Sequence, residues 1–244
     1  TGVTFVGNLC GIANTTGNNN TAVGSQALQA NTVGDRNVAI GDVALFNLNP
    51  ATNTDMHNVA VGHGSGYAMT TGLQNTLTGS NSGGALTTGV NNVVVGYNAL
   101  ASDTAGDNSV AVGHGTLNAQ NFSTNADSFN TAVGYQAGLS VTTGIQNTLI
   151  GSECGDALTD ADYNVALGRN TLSTDTLGSK TTAIGFQALA NQNFTTATDS
   201  HNVAVGYNAG VSVTTGTKNV AVGSLTLDAD TKGWASTAVG YFAL

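Results

Sequence analysis

The chain has 244 residues, with 33 glycines, only 8% charged residues and a net charge of −9. Its five basic residues argue against a nucleic-acid partner, because such partners need clustered Lys and Arg. No apolar run reaches the roughly 20 residues that a membrane helix requires, so membrane insertion is not predicted.

A five-residue word, approximately Asn-[Thr/Val]-Ala-[Val/Ile]-Gly, recurs along the chain. Every copy ends in a glycine, called here the conserved glycine because all copies within the chain share it. The fourteen copies end at Gly7, Gly24, Gly41, Gly62, Gly79, Gly96, Gly113, Gly134, Gly151, Gly168, Gly185, Gly206, Gly223 and Gly240. Successive glycines lie 17 residues apart, and every fourth step is lengthened to 21. Such regular spacing indicates a repeat architecture in which each copy is one structural unit.

Each copy is predicted to form one coil of a parallel β-solenoid, because its β-branched and small residues alternate between glycines. We expect a strand, a glycine corner, a second short strand and a second glycine corner, with glycine supplying the positive φ. The longer copies carry Asp55, Asp127 and Asp199 where the second glycine is expected, and aspartate tolerates the left-handed region. The fold class is therefore all-β, a single solenoid domain spanning 1–244. The repeat is under way at the first residue and stops within a copy, so we interpret the chain as a piece of a longer protein.

The stacking of identical coils at about 4.8 Å predicts a ladder of Asn side chains along the solenoid. The Val, Thr and Ile residues of the word are expected to point into the coil, and the central Ala to point away from it. Since no copy has a polar residue at the Ala position, both strand faces are predicted to be buried. A second chain would then cover the Ala face, which predicts a homo-oligomer.

The words at 37–41, 58–62 and 130–134 resemble the head repeats of YadA-type trimeric autotransporter adhesins. The longer phrases at 130–138 and 202–210 also resemble repeats of tail-fibre-like proteins of marine bacteriophages. The resemblance covers nearly the whole chain, although YadA-type repeats tend to be a few residues shorter. It implies a left-handed β-roll, a homotrimer, display outside a cell or on a virion, and adhesion to a cell-surface glycan or receptor.

The three longer copies place four extra residues within 48–55, 120–127 and 192–199, every fourth coil. Loops on a rigid scaffold often bind ligands, although these segments could equally be spacers that pack on a neighbouring coil. The candidate binding residues are Asn49, Pro50, Asp55, Asn121, Phe122, Asp127, Asn193, Phe194 and Asp199. Aromatic residues directly after the conserved glycine form a second candidate surface, which either contacts glycans or covers the seam: Tyr97, Tyr135, Phe186, Tyr207 and Tyr241.

Few residues suggest chemistry. Cys10 and Cys154 occupy a column of small residues, eight to nine coils apart, and are predicted to be small core residues. The histidines lack metal-ligand spacing and are interpreted as surface residues: His57, His63, His114 and His201. One coil is acidic, which a solvated loop explains better than a cation site: Glu153, Asp156, Asp160 and Asp162. We therefore expect no cofactor, no metal and no enzymatic activity.

Two functions remain open, an adhesive fibre segment and an ice-binding solenoid. An ice-binding surface would use a column of threonines, one in each complete short copy: Thr15, Thr32, Thr70, Thr87, Thr104, Thr142, Thr159, Thr176, Thr214 and Thr231. The longer copies interrupt this column, and adjacent threonines point to opposite faces of a strand, whereas an ice-binding face needs Thr-x-Thr. The adhesive fibre segment is therefore the favoured interpretation.

Overall fold

The computed structural model describes residues 2–244, which form an all-β parallel solenoid of about fourteen turns without a helix. Its contacts divide the chain into two compact units, which end at Asp127 and at Leu244. The first unit contains β1 (Thr4–Val6), β2 (Thr21–Val23), β3 (Gly34–Asp35), β4 (Val38–Ile40), β5 (Thr54–Asp55), β6 (Val59–Val61), β7 (Thr76–Thr78), β8 (Val93–Val95), β9 (Gly106–Asp107), β10 (Val110–Val112) and β11 (Ala126–Asp127). The second contains β12 (Thr131–Val133), β13 (Thr148–Ile150), β14 (Val165–Leu167), β15 (Gly178–Ser179), β16 (Thr182–Ile184), β17 (Thr198–Asp199), β18 (Val203–Val205), β19 (Val220–Val222) and β20 (Thr237–Val239).

The three-residue strands contain the repeated word, and in each unit they pair in parallel with the equivalent residues of the next coil. In the first unit, Ala22 of β2 pairs with Ala39 of β4. In the second, Ala204 of β18 pairs with Ala221 of β19. The prediction that successive units stack like on like is therefore confirmed within both units.

The prediction of which strand face lies inside the coil was wrong. The central residue is buried inside its own coil in thirteen of the fourteen three-residue strands, and Ala39, Ala111 and Ala183 are 0% exposed. The flanking Thr, Val and Ile residues face outward and are half-buried or exposed in every three-residue strand. The Ala column therefore needs no second chain to cover it.

Large side chains from elsewhere in the coil explain why the small residue points inward. Seven coils place a buried leucine four residues after the conserved glycine: Leu28, Leu45, Leu100, Leu117, Leu172, Leu189 and Leu227. Where that position is glycine, an apolar residue three positions later is buried in most coils: Met69, Leu86, Val141, Leu158 and Val213. These side chains fill a narrow interior, so only a small strand residue fits opposite them.

The conserved glycines are required for close stacking of the coils. Gly24 has φ +140°, and a Cβ atom there would lie 2.3 Å from the carbonyl oxygen of Gly41 in the next coil. The second corner glycine has no left-handed φ; a Cβ atom on Gly72 would instead lie 2.7 Å from the oxygen of Gly89. The expectation of a left-handed backbone there was wrong, and it is also wrong for Asp55, Asp127 and Asp199, none of which has a positive φ. The stacked coils, rather than the residue type, impose the strained backbone at the other corners.

The asparagine ladder is present and buried. Asn75 is 0% exposed, and its Oδ1 accepts hydrogen bonds from the backbone N–H (3.0 Å) and the Nδ2 (3.1 Å) of Asn92. Its own Nδ2 donates to the carbonyl oxygen of Gly89 at 2.8 Å. Asn75 thus ties its strand to the second corner of its coil and to the following coil.

Replacing Gly66 tests the packing of the interior. A Cβ atom on Gly66 would lie 2.8 Å from side-chain carbons of both Leu45 and Leu77, whereas one on Gly64 would meet no atom within 4 Å. Both glycines have a left-handed backbone, with φ values of 61° and 63°. Alanine would therefore introduce the same backbone strain at either position. We expect Gly66→Ala to lower the free energy of unfolding by about 1–3 kcal/mol more than Gly64→Ala in chemical denaturation. Equal losses would show that the interior tolerates extra volume.

Removing one amide tests the ladder. Asn75→Ala leaves the backbone N–H of Asn92 and the carbonyl of Gly89 without these buried partners, and we expect a loss of about 2–4 kcal/mol in chemical denaturation. The exposed Asn53 provides the control, because Asn53→Ala should change stability by less than about 0.5 kcal/mol. A loss in Asn75→Ala no larger than in the control would contradict a stabilising ladder.

Candidate functional site

The first candidate surface is the outer strand face, defined here as the first and third residues of every three-residue strand. These residues are Thr, Val, Ile or Leu in all fourteen strands, and none is charged. Several are exposed apolar side chains, including Val6 at 56%, Val165 at 39% and Leu167 at 45%. The result is a regular, uncharged and largely apolar surface that each unit presents along its strands.

The threonine column predicted for ice binding lies on a different part of the coil, and its hydroxyl groups already have protein partners. Thr15 Oγ1 donates to the carbonyl of Thr32 at 2.9 Å, and Thr87 Oγ1 to that of Thr104 at 2.7 Å. Nine of the ten hydroxyls donate in this way to an oxygen in the following coil. The column therefore stabilises the stack, and these hydroxyl protons are not offered to solvent.

The candidate residues of the longer copies separate into buried and exposed groups. Pro50 is buried, and Phe122 and Phe194 are 9% and 6% exposed. Asn49, Asn121 and Asn193 accept hydrogen bonds through Oδ1 from threonines of the preceding coil. Asp55, Asp127 and Asp199 are exposed. A ligand could therefore reach the aspartates and loop tips, whereas the ring side chains belong to the interior.

Buried carboxylates hold the second and third of these segments in place. Asp103 is 0% exposed and accepts hydrogen bonds from Gln120 Nε2 at 2.6 Å and from the backbone N–H groups of Gly106 and Phe122. The third longer copy repeats this arrangement around Asp175. These bonds satisfy a charge that would otherwise be costly to bury.

The first longer copy differs at the aspartate position and at two of its donor positions, and it keeps the donor at the second corner, where Gly34 N–H bonds to Asn31. Asn31 stands where the others have aspartate, Leu48 where they have glutamine, and Pro50 where they have phenylalanine. Because leucine has no amide and proline no N–H, a carboxylate would lack two donors, and the neutral Asn31 suits this site. These linked differences show that the start of each segment packs on the preceding coil.

The three exposed aspartates each pair with the residue nineteen positions earlier. Asp55 Oδ1 lies 3.0 Å from Arg36 Nε, and Asp199 Oδ2 lies 2.5 Å from Lys180 Nζ. In the middle copy, Asn108 Nδ2 donates to Asp127 at 2.6 Å. Exposed ion pairs such as those of the first and third longer copies contribute only about 1 kcal/mol or less to stability.

The acidic coil does not form a convergent cluster. Asp160 accepts from Thr143, Asp162 from the backbone of Ile145, and Glu153 lies 3.8 Å from Arg169. Burial, with a smaller contribution from Glu153, raises the pKa of Asp156 above its ordinary value. Within residues 2–244, no group of three or more His, Cys, Asp or Glu side chains could hold a metal ion.

Both cysteines are free thiols. Cys154 is buried, its Sγ lies 3.2 Å from the carbonyl oxygen of Ala166, and burial raises its pKa to about 12. Cys10 is half-buried and contacts the carbonyl of Ala22, and burial also raises its pKa. Raised thiol pKa values disfavour the reactive thiolate. The four histidines, by contrast, are exposed side chains.

A further candidate surface, separate from the outer strand face, is a groove of about 500 Å³ on the first unit, called here the corner groove. It runs across four successive coils, directly after their conserved glycines. Its lining consists of Val43, His63, Gly64, Tyr67, Ser80, Asn81, Tyr97 and Asn98. The sequence interpretation treated His63 as a surface residue and did not identify this groove.

Gly64 is the sequence signal that could have revealed the groove. Its column, two residues after the conserved glycine, elsewhere holds residues such as Gln26, Gln136 and Gln187. A Cβ atom on Gly64 would meet no atom within 4 Å, so the missing side chain leaves open space at the surface. His-Gly follows the conserved glycine in only two of the fourteen copies, at 63–64 and 114–115.

The aromatic row after the conserved glycines is exposed in part and stacked in part. Tyr97 and Tyr207 are 53% and 52% exposed. The ring of Tyr207 stacks on Phe186 with centroids 5.4 Å apart, and the ring of Tyr97 lies 5.4 Å from that of His114. Among the row, only Tyr97 lines the corner groove.

Two further observations bear on classification. Of the residues that the structure describes, none belongs to a helix able to cross a membrane. Comparison with protein-family models, with curated proteins and with solved structures finds no match to this chain. The resemblance to YadA-type heads and phage fibre repeats thus remains a prediction from the repeated words.

Proposed function

We propose that this chain is a structural and adhesive fibre segment that assembles as a homotrimer and is displayed outside a cell or on a virion. Its role would be to present a rigid solenoid surface to a host-surface receptor or glycan. The observation that carries this proposal is the outer strand face, which combines exposed apolar side chains with the complete absence of charged residues.

An exposed apolar surface of this kind is typical of an interface, because monomeric proteins seldom leave extended apolar patches in water. Residues 38, 59 and 93 repeat valine in one column, and residues 40, 61 and 95 repeat isoleucine or valine in the other. Solvent-facing strands usually carry polar side chains, as a sheet with one wet face alternates between apolar and polar residues. The face is therefore better suited to contact with another copy than to water.

The number of subunits, the left handedness and the external location come from the resemblance to adhesin and fibre repeats. A threefold arrangement would place the outer strand faces of three chains against one another along a common axis. The exposed aspartates of the longer copies are not part of that face. This arrangement leaves the corners of the coils accessible for adhesion.

A catalytic role has less support. The carboxylates of the acidic coil take separate partners, and the thiol of Cys154 is buried with a raised pKa of about 12. Acid–base catalysis needs titratable groups that converge on one substrate position. We therefore propose a non-enzymatic function.

The mass of the assembly in solution tests the proposal. Light scattering should give three times the 24.3 kDa of one chain. Leu167→Lys should shift the protein towards monomer, because an unpaired charge is costly to bury. Thr174→Lys adds the same charge at an exposed position outside the outer strand face and should leave the mass unchanged. A wild-type monomer, or equal dissociation of the control, would contradict the proposed interface.

Ice binding remains the second candidate, and one observation now favours a different surface for it. Thr131, Thr148 and Thr182 lie on the outer strand face, and each is followed two residues later by an outward Val or Ile. In these coils the face therefore carries a threonine column beside an apolar column, with the coils at strand spacing. A face covered in a trimer could not contact ice. We therefore expect no freezing-point hysteresis from the assembled protein, and measurable hysteresis would favour ice binding over the fibre interface.

A further inference from the structure

The corner groove combines features that suit a specific class of ligand. We propose that it binds a neutral oligosaccharide through one or two pyranose rings, an inference that rests on the adhesive role proposed above and assigns it a site. Its volume of about 500 Å³ lies within the range of small-molecule sites, about 300–1,000 Å³.

Two tyrosines provide apolar platforms along the groove. Tyr67 is 42% exposed and its ring stacks on Phe46, with centroids 5.2 Å apart and planes 15° apart, which holds the ring in one orientation. Tyr97 is 53% exposed and lies two coils further on, about 10 Å along the stack at the ordinary strand spacing. The C–H face of a pyranose ring is apolar and packs on aromatic rings, while a tyrosine hydroxyl can still bond to the sugar.

Polar side chains between the tyrosines match the hydroxyl groups of a sugar. Asn81 Nδ2 donates to Asn98 Oδ1 at 2.8 Å, which orients both amides in the groove. The amide of Asn98 has N–H donors at its other end, and Ser80 and His63 add groups that can donate or accept. Paired donors and acceptors beside an apolar platform are suited to neutral hydroxyl groups.

The charges around the groove argue against an anionic sugar. The lining contains no Lys, Arg, Asp or Glu. Asp42 lies next to it, with Oδ2 3.5 Å from His63 Nε2, and the whole chain carries a net charge of −9. A uronic or sialic acid would meet repulsion without an arginine or lysine to pair with, so the proposed ligand is neutral.

The groove is preorganised by the stacked coils. Gly64 N–H donates to the carbonyl of Asp42 at 2.9 Å, and Asn81 N–H to that of His63 at 2.9 Å. Asn81 and Asn98 hold left-handed backbones, with φ values of 56° and 52°. Because the floor is already ordered, binding would lose little conformational entropy, which favours affinity for a small ligand.

The lining also lies outside the outer strand face. Its residues follow the conserved glycines, whereas the face consists of strand residues that precede them. Assembly through the face therefore does not require the groove side chains, and the two functions can be tested separately.

Four variants and four probes test the proposal by titration calorimetry. The probes are cellohexaose, maltohexaose and mannohexaose, with an anionic galacturonate hexamer as comparator. We expect the wild type to bind at least one neutral hexamer, and Tyr97→Ala and Gly64→Gln to weaken that binding by about tenfold or more. Gly64→Ala adds only a methyl group into open space and should bind like the wild type.

Tyr207→Ala is the matched control for Tyr97→Ala. Both tyrosines follow the conserved glycine in the same Gly-Tyr-Asn-Ala sequence and have nearly equal exposure, but Tyr207 does not line the groove. The inference is overturned if Tyr207→Ala weakens binding as much as Tyr97→Ala, or if Gly64→Gln binds like the wild type. Should Gly64→Gln fail to fold, as judged by thermal melting, the comparison of the two tyrosine variants still decides.

The outcomes also separate this inference from the proposed function. A trimer that adheres to host cells but binds none of the neutral hexamers, or binds only the galacturonate, overturns the groove assignment alone. A chain that remains monomeric and does not adhere contradicts the proposed function itself. Light scattering on the same samples supplies that second readout.

Discussion

Every feature of this fold depends on the direct superposition of each coil on the one before it. Parallel pairing joins equivalent residues, the asparagine amides repeat the bond between coils, and the conserved glycines allow carbonyl groups to approach where a Cβ atom would collide. Because a coil has so little interior, most of its stabilisation comes from these repeated contacts rather than from a large core. A change that shifts one column therefore acts on the coils above and below it.

The same superposition explains the unusual backbone of the corners. More than thirty residues other than glycine have positive φ, among them Leu28, Leu45 and Leu100, although such a conformation ordinarily disfavours a branched side chain. The side chains of these three leucines are fully buried, and the coils on either side hold the backbone. The corners can consequently accept many residue types, whereas the conserved glycines cannot.

The repeated word was sufficient to predict the three-residue strands, the stacking and the asparagine ladder, because these depend on sequence spacing alone. The second short strand expected between the two corners was wrong, since stretches such as 25–33 and 80–88 form turns instead. It was not sufficient to predict the inward face. The rule that larger apolar residues point inward failed at Val38 and Ile40, since Leu45 and similar residues from the corners already fill the coil. The corner groove was also missed, as it arises from an absent side chain at Gly64 rather than from a recognisable motif.

The proposed assembly surface and the proposed ligand groove lie in different columns of the repeat, and this separation has a physical basis. The proposed interface requires the outer strand face to stay uncharged in every coil, because a single buried charge would disrupt it. The side chains directly after the conserved glycine, such as His63 and Tyr97, are exposed, so we expect their replacement to cost little stability. A groove such as that at Gly64 can therefore arise at one coil without disturbing the contacts that hold the others together. In a solenoid of this kind, specificity is best sought where a corner column departs from its own repeat.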